Sequence, residues 1–183
     1  MPLSRQHRPI IAFGDSLVEG LGASKNRDWV SLLSARYHSP ILNKGRKHDT
    51  TRSALSRLEK DVIHYHPRLT ILLLGGNDIL FRIPKKETFL NLSYMIDRIQ
   101  IQEIGVLLLG IRGGILVDAF EGKFHSLAEE KGIPCIPNIL EDILDEPGLM
   151  TDPLHPNDEG HQIIADRIES MLGQVDNPID PKS

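Results

Sequence analysis

The chain has 183 residues, of which 40% are apolar and 25% are charged, with a formal net charge of -4 and a pI near 6.0. This length suits a single domain around one hydrophobic core, and the composition is that of an ordinary globular protein. The basic residues are scattered and form no block of five or more, so neither nucleic acid nor an anionic membrane surface is expected as a partner.

The first residues predict neither a leader peptide nor a membrane anchor. The apolar run Pro9 to Phe13 is shorter than the roughly 7–15 residues of a secretory signal core. No stretch approaches the ~18 uninterrupted apolar residues of a membrane span. The sequence as written therefore predicts a cytoplasmic protein without an integral membrane segment, and a periplasmic or secreted location stays open if a leader has been removed. Cys135 is the single cysteine, which excludes an internal disulfide, and it is expected to fill the core.

Apolar runs of strand length alternate with helical patterns, which predicts an α/β fold whose parallel sheet is covered by helices on both faces. The predicted strands are Pro9–Phe13, Pro40–Asn43, Leu69–Leu74, Gly105–Leu109 and Ile133–Pro137. The predicted helices are Asp28–Tyr37, Arg52–Tyr65, Glu87–Gln102, Val117–Lys131 and Asp158–Leu172. Thr51 and Asn157 are the expected N-caps of the second and the last helix. Residues 1–172 are expected to form one domain, and residues 173–183 a flexible tail.

Polar residues follow the first strand and the third. In an open parallel sheet, ligands bind beyond the carboxyl ends of the strands, where the strand order reverses. Ser16 follows a strand and a glycine, which exposes its hydroxyl beside the N–H groups of a helix start, although a helix N-cap is the alternative interpretation. Asn77 ends the third strand within Gly75-Gly76-Asn77-Asp78, where its amide suits an oxyanion, although these four residues are also typical of a turn.

The segment Thr151–Pro156 holds Asp152 three residues before His155, in a turn flanked by prolines. Asp152 can accept a hydrogen bond from Nδ1–H of His155, which leaves Nε2 free to take a proton from Ser16. A turn aspartate beside an incidental surface histidine is the alternative. His161 lies six residues further on, faces another side of the helix start and is expected to be structural.

These segments, in this order and spacing, resemble blocks I, III and V of the GDSL or SGNH hydrolases, and the resemblance extends from Ile10 to Leu172. Connecting residues resemble the thioesterase, lysophospholipase and arylesterase subgroup, namely Trp29, Asp49-Thr50-Thr51, Ile83-Pro84 and Gly110-Ile111-Arg112. The resemblance implies a flavodoxin-like three-layer αβα sandwich with five parallel strands in the order 2-1-3-4-5. It also implies hydrolysis of carboxylic esters or thioesters without a cofactor or a metal ion.

The resemblance assigns Ser16 as the nucleophile, His155 as the general base and acid, and Asp152 as the residue that orients His155. It places Asn77 and the backbone N–H of Ser16 in the oxyanion hole. The third donor of the family is the N–H of a glycine, and this sequence has His48 at that position. Either the N–H of His48 retains the function, or the loop shifts and uses Gly45.

Four apolar residues after Gly75-Gly76-Asn77-Asp78 are expected to form a wall for the acyl chain: Ile79, Leu80, Phe81 and Ile83. Ile111 and Arg112 are expected to border this wall from the end of the fourth strand. The expected partner is a small-molecule acyl ester or thioester, and the sequence does not determine the oligomeric state.

Two other functions fit the same residues. A carbohydrate O-deacetylase uses the same machinery, but one Trp, three Tyr and five Phe offer few aromatic side chains for a sugar platform. A non-enzymatic, phosphoacceptor-like module would instead gather Asp15, Asp78 and Asp152 around a Mg²⁺ ion.

Overall fold

The computed structural model describes residues 8–37, 40–112 and 120–175. Its sheet consists of β1 (Ile10–Gly14), β2 (Ile41–Gly45), β3 (Leu69–Leu73), β4 (Gly105–Leu109) and β5 (Cys135–Ile136). All neighbouring strands are parallel, and their order is β2-β1-β3-β4-β5. β1 and β3 are buried along their whole length, as strands covered on both faces should be. The predicted fold class and strand order are confirmed.

The α-helices of the described ranges are α1 (Ser16–Glu19), α2 (Trp29–Arg36), α3 (Thr51–Asp61), α4 (Gly76–Leu80), α5 (Lys85–Gln100), α6 (Glu121–Lys131) and α7 (Asp158–Val175). α2 packs against α7, whereas α3, α5 and α6 pack in series, so the sheet lies between two helical layers. The largest buried side chains of the core include Phe13, Trp29 and Phe124. Within these ranges, no helix combines the length and the apolar content that crossing a membrane requires.

Two short helices are not among the five predicted helices, although a helix start was expected beside Ser16, and both begin where a strand ends. α1 has four residues and follows β1, and α4 has five residues and follows β3. A helix this short does not complete enough turns to produce a repeating apolar face. Both helices nevertheless lie in the loops where the sequence predicts chemistry.

The N-cap of α3 is Thr50, not Thr51. The side chain of Thr50 accepts a hydrogen bond from the N–H of Ser53, and Ser53 Oγ accepts one from the N–H of Thr50, which forms a capping box. Thr51 begins the helix and is fully buried. The prediction was one residue late because adjacent threonines have the same capping chemistry. The predicted N-cap Asn157 is confirmed, because its Oδ1 accepts from the N–H groups of the second and third residues of α7.

Several element boundaries differ from the sequence prediction. β5 has two residues instead of five, because the flanking Pro134 and Pro137 have no N–H for the ladder. α3 ends at Asp61, and a separate 3₁₀ turn, Ile63–Tyr65, follows it. α7 continues to Val175, so the first three residues of the predicted tail are helical. The remainder of that tail, 176–183, and the predicted start of the fourth helix, 117–119, lie outside the described residues.

Candidate active site

The predicted site residues come together at the carboxyl edge of the sheet. Ser16 is the first residue of α1 and Asn77 lies in α4, so they follow the neighbouring strands β1 and β3. His155 comes from the loop before α7, and its Nε2 lies 3.1 Å from Ser16 Oγ. The N-cap of α1 is Asp15, whose carboxylate accepts from the N–H of Leu17 at 3.0 Å. The capping role that the sequence left open for Ser16 therefore belongs to Asp15.

His155 and Asp152 form a closely bonded pair. Nδ1 of His155 lies 2.8 Å from Oδ2 of Asp152, and Oδ1 of Asp152 accepts from the backbone N–H groups of Leu154 at 2.8 Å and His155 at 2.9 Å. The bond from the imidazole, followed by that from the Leu154 N–H, holds the pKa of Asp152 below its usual range. Because Nδ1 faces a carboxylate, it carries the ring proton, and Nε2 directs its lone pair towards Ser16.

Asp15 is almost completely buried beside the serine, and it accepts the hydrogen bond from Leu17 described above. Burial raises the pKa of Asp15 to about 7, and the hydrogen bond from Leu17 opposes this shift. The negative charges of Asp49 and Asp78 raise the pKa further. The carboxyl group therefore takes up its proton near neutral pH, far above the ~3.9 of an exposed aspartate.

This raised pKa predicts that Asp15→Asn stabilises the protein at high pH. The ionised form is disfavoured only in the folded chain, so the wild type loses stability as the pH rises from about 4 to about 7 and then levels off. The asparagine variant avoids this loss, an effect of up to ~4 kcal/mol at ~1.4 kcal/mol per pKa unit. Thermal unfolding at pH 4, 5.5, 7 and 8.5 should show the advantage growing with pH. Asp158→Asn is the control, because the Ser24 N–H lowers the pKa of Asp158 and its removal should give no such gain.

The loops after β2 and β3 are joined by buried hydrogen bonds. The amide nitrogen Nδ2 of Asn77 donates to the backbone oxygen of Asp49 at 2.9 Å, which fixes the direction of the amide. Asp78 is fully buried and accepts from the N–H and the hydroxyl of Thr51, at 2.8 and 2.5 Å, and from the hydroxyl of Thr88 at 3.1 Å. Asp78 therefore serves to hold the start of α3 against α4 and α5.

Arg57 stabilises the loop after β2, and sequence reasoning did not identify this residue. Its Nε donates to Asp49 at 2.6 Å, and its Nη2 donates to the backbone oxygen of Gly14 at 2.9 Å. The guanidinium group also lies 4.2 Å from the centre of the Phe13 ring. Arg57 lies three residues after the buried Ala54 on α3, and this helical spacing is the signal that could have identified it. It ties the loop after β2 to the end of the strand that precedes Ser16.

The two candidates for the third backbone donor differ in their hydrogen bonds and in their backbone conformation. The N–H of Gly45 already donates to Oδ1 of Asn43 at 2.8 Å. A Cβ at Gly45 would lie 2.0 Å from the backbone nitrogen of Glu19, so Gly45 is needed for the close approach of α1. In contrast, the N–H groups of His48 and Ser16 have no acceptor among the described residues. His48 adopts φ +66°, the left-handed conformation that a glycine would take easily.

This conformation predicts that His48→Gly is at least as stable as the wild type. A non-glycine residue in the left-handed region costs ~1–2 kcal/mol, whereas the extra freedom of glycine in the unfolded chain costs ~0.5–1 kcal/mol. His48→Ala is the matched control, because it removes the imidazole and keeps the strain. Urea unfolding should rank glycine above alanine by up to ~1 kcal/mol, and the reverse ranking would contradict the assigned backbone conformation.

The residues expected to bind the acyl chain differ in their exposure. Leu80 and Phe81 are 51% and 57% exposed, unusually open for such side chains. Ile79 is half-buried and packs on the core, and Ile111 is buried beneath Gly76. Arg112 is exposed and lies next to the undescribed residues 113–119. A further apolar side chain, Leu154, lies between Asp152 and His155 and is 47% exposed, and sequence reasoning had not singled it out.

The carboxylates of the proposed Mg²⁺ module are engaged in other contacts. Within the described ranges, no three His, Cys, Asp or Glu side chains are grouped so that they could hold a metal ion. Asp78 is bonded to three donors on α3 and α5, and Asp152 is bonded within its own turn. Asp15, Asp78 and Asp152 therefore do not form the shared site that this alternative requires.

The chain is similar in sequence to known ester hydrolases. Residues 12–163 match the model of the GDSL-like lipase/acylhydrolase family. The chain is 28% identical over 176 residues to thioesterase 1/protease 1/lysophospholipase L1 of Escherichia coli, which covers 92% of this chain and 85% of the relative. It is 31% identical over 180 residues to an arylesterase of Vibrio mimicus, which covers 92% and 90%.

Solved structures extend the similarity to the fold. The crystal structure of the psychrotrophic esterase EstA from Pseudoalteromonas, inhibited by monoethylphosphonate, has a TM-score of 0.84 and 25% identity, covering 93% of this chain and 99% of the esterase. The SGNH-hydrolase family esterase AlinE4 has a TM-score of 0.72 and 31% identity, covering 92% and 96%. By its sequence match and its fold, the chain belongs to the GDSL-like lipase/acylhydrolase family of ester hydrolases.

Proposed function

We propose that this protein hydrolyses small acyl esters or thioesters through an acyl-enzyme on Ser16. The observation that carries the proposal is one continuous chain of contacts, from Ser16 Oγ through both nitrogens of His155 to the carboxylate of Asp152, with separations of 3.1 and 2.8 Å. Such a chain activates a hydroxyl that is a weak nucleophile by itself.

The reaction has two steps, and His155 moves the proton in both. In the first, Nε2 takes the proton of Ser16 as Oγ attacks the carbonyl carbon, and it then passes that proton to the leaving alcohol or thiol. In the second, Nε2 takes a proton from water, which attacks the acyl-enzyme, and returns it to Oγ as the acid departs. Asp152 stabilises the imidazolium that forms at each step without taking the proton.

Three donors are proposed to bind the oxyanion: the N–H groups of Ser16 and His48 and the amide of Asn77. The two backbone groups have no acceptor among the described residues, so they are available to a ligand. The Asn77 amide uses one hydrogen for Asp49 and has a second one left. Donors that are fixed before the substrate arrives need no reorganisation when negative charge develops on the carbonyl oxygen.

The proposed substrate carries an apolar acyl group. Leu80 ends α4 three residues after Asn77 and Phe81 follows it, and Leu154 lies within the Asp152–His155 turn. Exposed apolar side chains are therefore close in sequence to the residues proposed for catalysis. Burying such a side chain against an acyl chain contributes ~25 cal/mol per Å² of apolar area. The relatives named thioesterase, lysophospholipase and arylesterase are consistent with this substrate class.

Covalent labelling tests the nucleophile. A fluorophosphonate probe should modify the wild-type protein at Ser16, as peptide mass spectrometry would show, and should leave Ser16→Ala unlabelled. Ser126→Ala is the matched control, because Ser126 is an exposed serine on α6 whose hydroxyl donates to a backbone oxygen. Labelling of Ser16→Ala to the wild-type extent would overturn the proposal.

A substrate panel tests the acyl preference and the alternatives together. Nitrophenyl esters and acyl-CoA thioesters of increasing chain length should be hydrolysed, with kcat/KM higher for medium chains than for acetyl. Activity confined to acetylated sugars would favour the deacetylase instead. No hydrolysis of any of these esters, together with Mg²⁺ binding in a titration of the protein, would favour the Mg²⁺ module.

A further inference from the structure

The segment 20–28 joins α1 to α2, and we call it the strap. It lies against the loop that carries Asp152 and His155. The hydroxyl of Thr151 donates to the backbone oxygen of Gly22 at 2.9 Å, and the N–H of Ser24 donates to Asp158 at 2.6 Å. Gly22 has φ +93°, and a Cβ there would lie 2.1 Å from the backbone oxygen of Pro156 and 3.1 Å from Cβ of His155. The strap is therefore in direct contact with the backbone around His155.

His161 bonds to the beginning of the strap and to the residue that directly follows its end. Its Nε2 lies 3.2 Å from the backbone oxygen of Leu21, and its Nδ1 accepts from the N–H of Trp29 at 3.3 Å. Because one nitrogen faces an acceptor and the other a donor, both bonds form only with a neutral ring that carries its proton on Nε2. His161 is fully buried, as a structural histidine should be. It also satisfies an N–H at the start of α2 that has no partner within that helix.

Trp29 connects this arrangement to the nucleophile. Its indole Nε1 donates to the backbone oxygen of Leu17 at 2.8 Å, and Leu17 directly follows Ser16 in α1. A continuous path therefore runs from Ser16 through Trp29 to His161 on α7, and α7 begins three residues after His155. The two sides of the Ser16–His155 contact are joined through the buried side chains of Trp29 and His161.

We propose that His161 is a positioning residue for ester hydrolysis: it fixes the strap between α1 and the Asp152–His155 loop, and so sets the separation of Ser16 Oγ and His155 Nε2. This inference rests on the proposed function. The expected effect on turnover is large because a displacement of ~1 Å between reacting groups can lower the rate ~10²-fold.

The neutral state of His161 is set by its surroundings. Burial lowers the pKa of His161, and the hydrogen bond to the Leu21 oxygen opposes this shift. The carboxylates of Asp28 and Asp158 also favour protonation, whereas His155 disfavours it. The arrangement is therefore intact at neutral pH. The hydrogen bonds of His161 are lost only as the pH falls below ~6.5, the pKa of an ordinary histidine, towards the lowered pKa of His161. The reason is that a protonated Nδ1 is a donor, and it would face the Trp29 N–H, which is also a donor.

Two substitutions at His161 separate the effect of its hydrogen bonds from the effect of changing the side chain itself. His161→Leu removes both bonds and should lower kcat 10- to 100-fold while KM changes less than threefold, because substrate contacts are unaffected. His161→Gln can donate to Leu21 and accept from Trp29, and it should retain kcat within about threefold. Wild-type kcat in His161→Leu would overturn the proposal.

A control separates positioning from general loss of stability. Ile168→Ala removes a fully buried side chain seven residues, or two turns, further along α7 than His161. If the melting temperature of Ile168→Ala falls as far as that of His161→Leu, Ile168→Ala should still keep the kcat of the wild type. An equal loss of kcat in Ile168→Ala would show that His161 acts only through stability.

Two further measurements keep the proposal testable if His161→Leu does not fold. Gly22→Ala forces the strap away from His155 and should lower kcat at least 10-fold, and unchanged turnover would contradict the proposed path. Trp29 is the only tryptophan, so its fluorescence reports on the arrangement directly. Acidification of the wild type should change this emission reversibly, and the same change in His161→Gln would contradict the role of His161.

Ser16→Ala, assayed in parallel, keeps the two proposals apart. Hydrolysis by Ser16→Ala would overturn the proposed function. Full turnover by a folded His161→Leu, with Ser16→Ala inactive, would overturn only the role of His161.

Discussion

The kcat of Ser16→Ala and that of His155→Ala are each expected to fall ~10⁴–10⁶-fold below the wild-type value. The kcat of the double variant is expected to be hardly lower than that of either single variant. The reason is the 3.1 Å contact between Ser16 Oγ and His155 Nε2, which makes the two side chains one proton-transferring unit. Once either member is absent, the other has no partner to act on. Steady-state hydrolysis of a nitrophenyl ester by the three variants measures this directly.

Matched controls for these losses lie on α6. Ser126→Ala and His125→Ala make the same two replacements at exposed positions, and both should retain full activity. Melting temperatures of the active-site variants should stay close to that of the wild type, since Ser16→Ala loses one partly exposed hydrogen bond and His155→Ala loses that bond and the exposed one to Asp152. If the two single losses multiplied in the double variant, Ser16 and His155 would be acting independently, and the proposed proton transfer would be wrong.

Asn77→Ala is expected to lower kcat by ~10²–10³, equivalent to ~2.7–4 kcal/mol of transition-state stabilisation, with little change in KM. The amide is buried and already fixed by its bond to the backbone oxygen of Asp49, so its second hydrogen is directed before the substrate binds. A donor of this kind strengthens its interaction as the carbonyl oxygen becomes negative. Separate determination of kcat and KM on a short-chain ester provides the measurement.

Asn91→Ala is the matched control for Asn77. Asn91 also donates its amide to the start of α3, at Thr51 Oγ1, but it lies on α5. Its removal should lower stability slightly and leave kcat within about twofold. A rise in KM at constant kcat in Asn77→Ala would show instead that Asn77 contributes to substrate binding only.

Much of the fold could be predicted because its signals are local. β1, β3 and β4 are continuous apolar runs, and such runs between helical patterns indicate strands covered on both faces. The Gly-Asp-Ser and Asp-Pro-Leu-His segments predicted residues that the structure then brings within hydrogen-bond distance. Their roles remain predictions until the variants above are measured.

The features that were not predicted depend on backbone angles or on distant contacts. The proposal of His48 over Gly45 as the third donor rests on a positive φ at His48 and on the bond from the Gly45 N–H to Asn43, and neither feature has a sequence pattern. The contacts of Arg57 with Gly14 and of His161 with Trp29 join residues 43 and 132 positions apart. A helical pattern identifies such positions as buried, but it does not show what the polar group bonds to.

The pair Ser16 and His155 is separated by 139 positions, so their contact spans most of the chain. Contacts between residues so far apart in the sequence form late in folding, after many local segments have ordered. During synthesis, the β1–α1 segment that contains Ser16 would leave the ribosome long before the loop that contains His155, because the chain grows from its N-terminus. A nascent chain would therefore carry the proposed nucleophile without its proposed base, and we expect hydrolysis to begin only after α7 has packed against α2. In a refolding experiment, recovered esterase activity would report completion of the whole fold, not the formation of any one part.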